Sequence, residues 1–247
     1  MHSPVEQFTI KVLFEISAFG IDISFTNSSL FMLLSVLISL VFLSVAIKPE
    51  ALVPGKLQCA AEMLYEFIAN MIRDNVGNQG KPYFSLIFTL FIFILTSNLL
   101  GLIPYSYTTT SQIVVTFTMA LSIFIGVTIL ALIKHGLHFF TFFVPSGAPK
   151  VLIPFLVVIE IISYFVRPVS LSVRLFANML AGHTMLKVFG GLAVMISSAG
   201  GFALVGTFFP FIAIVGLTGL EILVAVLQAY VFTILTCMYL NDALHLH

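Results

Sequence analysis

Charged and strongly polar side chains recur every seven residues in the apolar second half of the chain. Glu160, Arg167 and Arg174 are spaced in this way, and Glu221 and Gln228 repeat the interval further on. Seven residues make nearly two helical turns, so each set forms one slowly drifting stripe on a helix. A carboxyl gains and loses protons whereas a guanidinium keeps its charge. The pattern is typical of proton handling near a fixed positive charge.

Further polar side chains accompany Arg174. Ser170 and Asn178 lie four residues before and after it, so the three share one helix face. His183 follows nine residues after Arg174, about 180° around a helix of 3.6 residues per turn. The sequence therefore predicts two polar faces on one helix.

The second long apolar stretch offers matching groups. If the two stretches form antiparallel helices, Arg174 can face Gln228 and His183 can approach Glu221. A charge at the centre of a bilayer costs at least about 2.5–3.5 kcal/mol, so several such charges indicate a functional polar path. His183 and Gln228 also fit a structural interpretation, as donors of interhelical hydrogen bonds.

Arg167 and Lys187 have simpler explanations. Arg167 precedes Pro168, and it can extend toward the membrane surface or pair with Glu160. Lys187 fits an interfacial helix end or a hydrated edge. Arg174 has no acid near it in sequence, so a purely structural role explains it least well.

The composition places these residues in a membrane. Hydrophobic residues make up 60% of the 247 residues and charged residues 8%, against roughly 25% charged in soluble domains. The net charge of zero gives no support for nucleic-acid binding. Cys59 and Cys237 are too far apart to suggest a disulfide framework or a metal site, and no cofactor motif is present. The first residues lack the apolar core of a cleaved signal peptide.

Six segments of the chain are predicted to be helices, and they must position these polar groups. Together they predict a single all-α integral membrane domain over residues 1–247. Segment 56–76 has apolar residues at helical spacing with charges between them, which predicts an amphipathic helix on the membrane surface. Five apolar stretches are long enough to cross a bilayer core of about 30 Å. They are residues 30–47, 83–103, 113–133, 151–196 and 208–240.

The last two stretches need a special arrangement. Stretch 151–196 exceeds the length of one upright crossing, so it either breaks at Pro154 and Pro168 or tilts strongly. The glycines at 190–191 and 200–201 suggest a bend or hairpin before the final helix. The two long helices are expected to form a strongly tilted hairpin.

The basic residues predict the orientation of the chain. They concentrate in segments 48–82 and 134–150, whereas segment 1–29 holds only Lys11 and segment 104–112 holds none. Because Lys and Arg favour the cytoplasmic or matrix side, the first two segments are predicted to be inside and the others outside. Five crossings then place the C-terminus inside.

Three blocks of sequence resemble one known family. "PVSLSVRLFANMLAGHTM" at 168–185 looks like the signature of subunit a of F-type ATP synthases. "SNLLGLIPYSYTTTSQ" at 97–112 and "LTGLEILVAVLQAYVFTILTCMYLNDA" at 217–243 resemble its other two recurrent blocks, and "SPVEQF" near the start fits mitochondrial and related bacterial members. The resemblance covers nearly the whole chain, with the blocks in the same order.

The resemblance implies a role for each matched residue. Arg174 matches the arginine that faces a rotating ring of c subunits, where it favours deprotonation of a ring carboxylate and blocks a direct leak between two half-channels. His183 and Glu221 match a pair in the half-channel that opens to the outside, with acid and histidine exchanged relative to many bacterial relatives. Asn178 and Gln228 match polar neighbours of the arginine.

The remaining implications concern the inside path and the complex. Glu160 and Ser170 match polar positions toward the inside exit. The family also implies a non-catalytic subunit without a cofactor, in the inner membrane of bacteria or mitochondria, with ATP chemistry on other subunits. Its expected partners are the c-subunit ring, peripheral-stalk b subunits, the other ATP synthase subunits, membrane lipid and protons. Segment 56–73 is a candidate contact for the stalk.

Two other classes of membrane protein fit the sequence less well. A secondary transporter would be expected to carry internal repeats with broken helices in matching positions, and the two halves show no convincing repeat. An intramembrane protease would need a motif such as H-E-x-x-H or G-x-S-x-G, and the sequence contains neither.

Overall fold

The computed structural model describes residues 9–15, 17–18, 21–22, 24–47, 55–103, 106–136, 139, 152–198, 206 and 208–245. Five of the helices in these ranges are long and apolar enough to cross a membrane. A sixth helix is amphipathic, with a charged face, as the sequence predicts. The all-α membrane fold is therefore confirmed. The glycines at 200–201 lie outside the described residues.

The helices follow the predicted segments closely. Their bounds are α1 Asn27–Ala46, α2 Lys56–Asn75, α3 Phe84–Gly101, α4 Ile113–His135, α5 Ile153–Ser198 and α6 Phe208–Leu244. Short 3-10 helices at Gly77–Tyr83 and Thr109–Ser111 precede α3 and α4. Among the described residues before α1 there are four short strands, namely β1 Val12–Phe14, β2 Ser17–Ala18, β3 Ile21–Asp22 and β4 Phe25–Thr26. β1 pairs with β4, and β2 with β3, both antiparallel.

Helix α1 begins where its polar residues satisfy the first backbone amides. The Thr26 hydroxyl accepts a bond from the backbone N–H of Ser29 at 3.4 Å. The side-chain carbonyl of Asn27 accepts from the N–H groups of Ser28 and Lys11, at 2.9 and 3.2 Å. The bonds from Ser28 and Ser29 give acceptors to backbone N–H groups that the start of a helix leaves unpaired. The bond from Lys11 also ties the preceding strand to the start of α1.

Helix α2 buries one apolar face, which includes Ile68, Met71 and Ile72. Gly77 then adopts a φ of +75°, which favours glycine and lets the chain turn out of the helix. The 3-10 helix that follows packs closely on α2, because a Cβ at Gly80 would lie 2.7 Å from the Ile72 side chain. The chain then enters α3 directly.

Helix α5 is continuous through Pro168, so of the two alternatives for this stretch, a break or a strong tilt, the break at Pro168 does not occur. Proline lacks the N–H that would bond the carbonyl four residues earlier, yet the helix continues on both sides. Its 46 residues correspond to about 69 Å at 1.5 Å per residue, which exceeds a bilayer core of about 30 Å. Gly190 and Gly191 lie within this helix and do not end it.

The chain divides into two compact units. The first contains Met1–Val45, Ile92–Gln112 and Leu175–Tyr230. The second contains Ala46–Phe91, Ile113–Arg174 and Val231–His247. Both long helices therefore contribute residues to each unit.

Hydroxyl groups link helices α1 and α3 in the first unit. Ser97 donates to Ser35 at 3.2 Å, and the hydroxyls of Ser39 and Thr96 lie 3.0 Å apart. Interhelical bonds of this kind hold membrane helices together where the lipid offers no hydrophobic driving force.

An apolar cluster and two basic residues hold the second unit together. Ala131, Phe139 and Ala243 form the buried cluster. Lys134 donates to the carbonyl oxygen of Leu244 at 3.1 Å, and the His135 ring contacts that of Ala243 at the same distance. These contacts pair the last turns of α4 and α6.

Candidate functional site

A buried imidazole and a buried carboxyl meet in the first unit. Nδ1 of His183, on α5, lies 3.4 Å from Oε1 of Glu221, on α6. The side chains are 13% and 5% exposed, so this proximity occurs in the protein interior. The predicted approach of His183 to Glu221 is therefore observed. Such a pair can hold one proton between a ring nitrogen and a carboxylate oxygen.

Glu221 contrasts with most buried carboxyls. Among the described residues, neither of its oxygens has a hydrogen-bond partner. Its 3.4 Å approach to His183 is long for a hydrogen bond between nitrogen and oxygen. A buried carboxylate without donors is costly, so a structural role explains this carboxyl poorly.

The missing side chain of Gly182 creates the space for Glu221. A Cβ at this position would lie 2.8 Å from Oε1 of Glu221 and 3.2 Å from its carboxyl carbon. Real Cβ atoms do not approach that closely, so any larger residue would displace the carboxyl. Gly182 and His183 are adjacent, which brings the space and the imidazole to the same turn of α5.

The segment between α3 and α4 supplies a third group. Oγ1 of Thr108 lies 2.9 Å from Nε2 of His183, so both ring nitrogens face polar atoms. Thr108 is buried. The sequence blocks included this threonine without giving it a role, because its position beside His183 depends on how segment 106–112 folds.

A second buried group secures this segment. Asn98 is fully buried, accepts a bond from the Thr110 hydroxyl at 2.8 Å and donates to the Ala225 carbonyl at 3.1 Å. Ala225 is one helical turn after Glu221, so α3, the segment and α6 are linked beside the carboxyl. Sequence reasoning also missed Asn98; an amide inside an apolar stretch was the signal that could have found it.

The other predicted site residues fall in different places. Arg174 and Ser170 belong to the second unit, and both are exposed in the isolated chain. Asn178 belongs to the first unit and is also exposed, whereas Gln228 is buried there. Glu160 is half-buried in the second unit. The pairing of Arg174 with Gln228 stays a prediction.

Arg167 has an acidic partner that the sequence interpretation did not include. Its Nη1 donates to Oδ2 of Asp242 at 2.8 Å. The rings of Tyr164 and Tyr239 flank the guanidinium, with their centroids 5.6 and 5.5 Å from its central carbon. Asp242 is 75 residues away in sequence, so only the packing of α5 on α6 reveals the pair.

The described residues give no support for a metal centre. They contain no group of three or more His, Cys, Asp or Glu side chains that could hold a metal ion.

Comparison with known proteins identifies the family. Residues 29–241 match the family described as "ATP synthase A chain". This chain belongs to that family. Its members are the non-catalytic, proton-translocating stator subunits of the ATP synthase membrane sector, so the recognition from the three sequence blocks is confirmed.

Full-length relatives agree with the family assignment. "ATP synthase subunit a" of Rhodospirillum rubrum is 56% identical over 247 residues, which is 100% of both chains. The proteins of the same name from Rhizobium etli strain CIAT 652 and from Pelagibacter ubique are each 54% identical, over 99% of this chain and 98% of theirs. These relatives are bacterial, and together with the five apolar helices they identify a multi-pass protein of the inner membrane.

Proposed function

We propose that this chain conducts protons across the membrane as the stator of an F-type ATP synthase, working against a ring of c subunits. The observation that carries the proposal is the buried approach of His183 to Glu221 on two membrane-spanning helices. In this proposal, a proton from the outside passes the pair and neutralises a ring carboxylate. After the ring turns, the proton leaves toward the inside.

Arg174 is assigned the fixed positive charge that faces the ring. It is exposed in the isolated chain although it lies on a membrane-spanning helix. An uncovered charge inside a bilayer is costly, so this side chain needs a polar or charged partner from another subunit. A ring carboxylate fits, because a nearby guanidinium stabilises its charged form and so favours proton release.

Polar neighbours are assigned to the two sides of the path. Asn178 and Gln228 are placed near Arg174, and Glu160 and Ser170 along the exit toward the inside. Their support is the family match together with their positions on α5 and α6. The amphipathic helix α2 is assigned to the inside surface, where it is available to the peripheral stalk.

The first experiment replaces Arg174 with alanine in the complete ATP synthase. Proton flux would be measured in membrane vesicles, both driven by ATP and as a passive leak. We expect coupled pumping to be lost, with a passive leak as the accompanying sign. Normal coupled pumping would contradict the proposal. Thr218→Ala is a suitable control, because this exposed α6 hydroxyl bonds the Ile214 carbonyl of its own helix.

The second experiment exchanges His183 and Glu221, individually and together. If the two groups share a proton directly, the double exchange should conduct better than the worse single variant, since one acid and one imidazole remain. A double exchange that performs no better than the worse single variant would argue against direct cooperation.

A further inference from the structure

Residues 107–111, between α3 and α4, are folded into the interior of the first unit. Tyr107, Thr108, Thr109, Thr110 and Ser111 are all buried. Five consecutive buried polar residues are unusual, because connecting segments normally run over the surface, where water satisfies their backbone. The hydroxyls in this segment therefore need partners inside the protein.

Thr108 has partners on two sides. Its Oγ1 lies 2.9 Å from Nε2 of His183. When the hydroxyl proton points away from the imidazole, it donates to the Gly101 carbonyl at 3.4 Å. This close packing requires glycine at 101, since a Cβ there would lie 2.7 Å from the same Oγ1. The hydroxyl therefore sits between an imidazole nitrogen and a carbonyl oxygen.

The hydrogen bonds of the segment hold Thr108 in place. Thr110 bonds Asn98, the Ser111 hydroxyl donates to the Thr108 carbonyl at 2.6 Å, and the Ser106 hydroxyl donates to the Leu100 carbonyl at 2.6 Å. Because the backbone on both sides is fixed in this way, Oγ1 can change its bonding by rotating its proton while the oxygen stays in place.

The two sides of the imidazole are coupled through its protons. A neutral imidazole carries one N–H, and when the Nε2–H form takes a proton from Glu221 at Nδ1 it becomes an imidazolium, in which both nitrogens are donors. Nε2 is therefore a donor in the imidazolium and in the Nε2–H form, and an acceptor in the Nδ1–H form. A hydroxyl can accept from Nε2–H while donating to the Gly101 carbonyl, or donate to a bare Nε2.

We propose that Thr108 is a positioning residue for proton transfer between His183 and Glu221. Its hydroxyl satisfies Nε2 in each protonation state, so Nδ1 can both take and give the proton that faces Oε1. The inference rests on the proposed function of the pair. It gives the segment between α3 and α4 a role in the site that neither α5 nor α6 has.

The experiment compares Thr108→Val with Thr108→Ser in the complete ATP synthase. Valine keeps the shape and removes the hydroxyl, whereas serine keeps the hydroxyl and removes a methyl group. Because a buried Nε2–H without an acceptor is costly, we expect Thr108→Val to lower ATP-driven proton flux about tenfold. Thr108→Ser should restore most of that flux. Thr218→Val removes an exposed hydroxyl from α6 and should leave the flux unchanged.

Proton flux would be normalised to the amount of assembled complex in the vesicles. Gly101→Ala provides a second variant. Alanine at 101 displaces the Thr108 side chain without removing its hydroxyl, so it should lower flux as Thr108→Val does. In a His183→Ala background, Thr108→Val should have no further effect.

The outcomes separate the two proposals. Normal flux in Thr108→Val, with impaired flux in His183→Ala, would overturn the inference about Thr108 and leave the function intact. Equal losses in Thr108→Ser and Thr108→Val would also overturn it, because the hydroxyl would then be irrelevant. Normal flux in His183→Ala would overturn the role of the pair itself.

Discussion

The two units each contain a close pair of ionisable side chains on α5 and α6, and the pairs differ in how fully they are satisfied. In the second unit, Arg167 and Asp242 are 2.8 Å apart and the guanidinium is flanked by two tyrosine rings. In the first unit, His183 and Glu221 are 3.4 Å apart and more deeply buried. Neither oxygen of that carboxyl has a hydrogen-bond partner among the described residues.

This difference separates two uses of charge in a membrane protein. The arginine keeps its proton, so its short ion pair with Asp242 has one stable state and can fix the packing of α5 against α6. An imidazole and a carboxyl can each exist in two protonation states, and their loose contact leaves room for both. The Arg167–Asp242 pair is suited to stability, and the His183–Glu221 pair is suited to proton movement.

The strongest test of this comparison is Glu221→Gln, which keeps the shape of the side chain and removes its ability to titrate. We expect coupled proton flux to fall at least about 100-fold, as when an acid–base group is removed from a proton-transfer step. Vesicle flux assays, with Asp242→Asn measured in parallel, would check this. Equal losses in both variants would mean that the two pairs do not differ in function.

A second test moves the Glu221 carboxyl without altering it. In Gly182→Ala the new methyl group meets Oε1, and a displacement of about 1 Å is enough to lower flux between about 10- and 100-fold. Gly190→Ala is the matched control on the same helix, because nothing lies within 4 Å of a Cβ there. If both glycine variants conduct equally, the position of the carboxyl is not critical.

A third test addresses the Arg167–Asp242 pair. Asp242→Asn removes the charge partner of a partly buried guanidinium, so we expect the protein to lose about 1–2 kcal/mol of stability. Thermal unfolding of the purified chain in detergent would measure this loss. Asp74→Asn, in an exposed pair whose charged atoms are 4.0 Å apart, should leave the midpoint unchanged. A large loss of flux in Asp242→Asn, without loss of stability, would assign that pair to the proton path.

The smallest expected effect concerns the surroundings of Arg167. The hydroxyls of Tyr164 and Thr128 lie 2.7 Å apart, and Tyr164→Phe removes this bond while keeping the ring beside the guanidinium. We expect a loss of about 0.5–1 kcal/mol in unfolding free energy and unchanged flux. Thr128→Val should give a similar loss, and the double variant should be little worse than either. Fully additive losses would show that the bond contributes nothing.

Much of the fold was predictable because membrane helices leave a strong signal in sequence. Long apolar stretches and the spacing of charges along segment 56–76 indicated six helices, and the structure contains a helix at each. The sequence left open whether the chain breaks at Pro168, and the helix continues there because the bond that proline removes can be lost without ending a long helix. The short strands before α1 were not predicted, since pairs of two or three residues leave little periodic pattern.

The candidate site was predictable where spacing along one helix decides it. The seven-residue interval and the opposite face of His183 led to its observed approach to Glu221. Contacts between segments far apart in sequence were not predictable. Asp242 beside Arg167, Thr108 beside His183 and Asn98 beside the Ala225 carbonyl all depend on packing that no local pattern encodes.

The buried run from Tyr107 to Ser111 has a consequence for how this protein can be altered. Connections between helices usually accept epitope tags, added residues and evolutionary changes in length. Here the connection packs like an interior element, with Thr108 beside His183 of α5 and Thr110 beside Asn98 of α3. A tag or a single inserted residue in this stretch would act as a core mutation. The length of the connection is therefore as constrained as that of a helix.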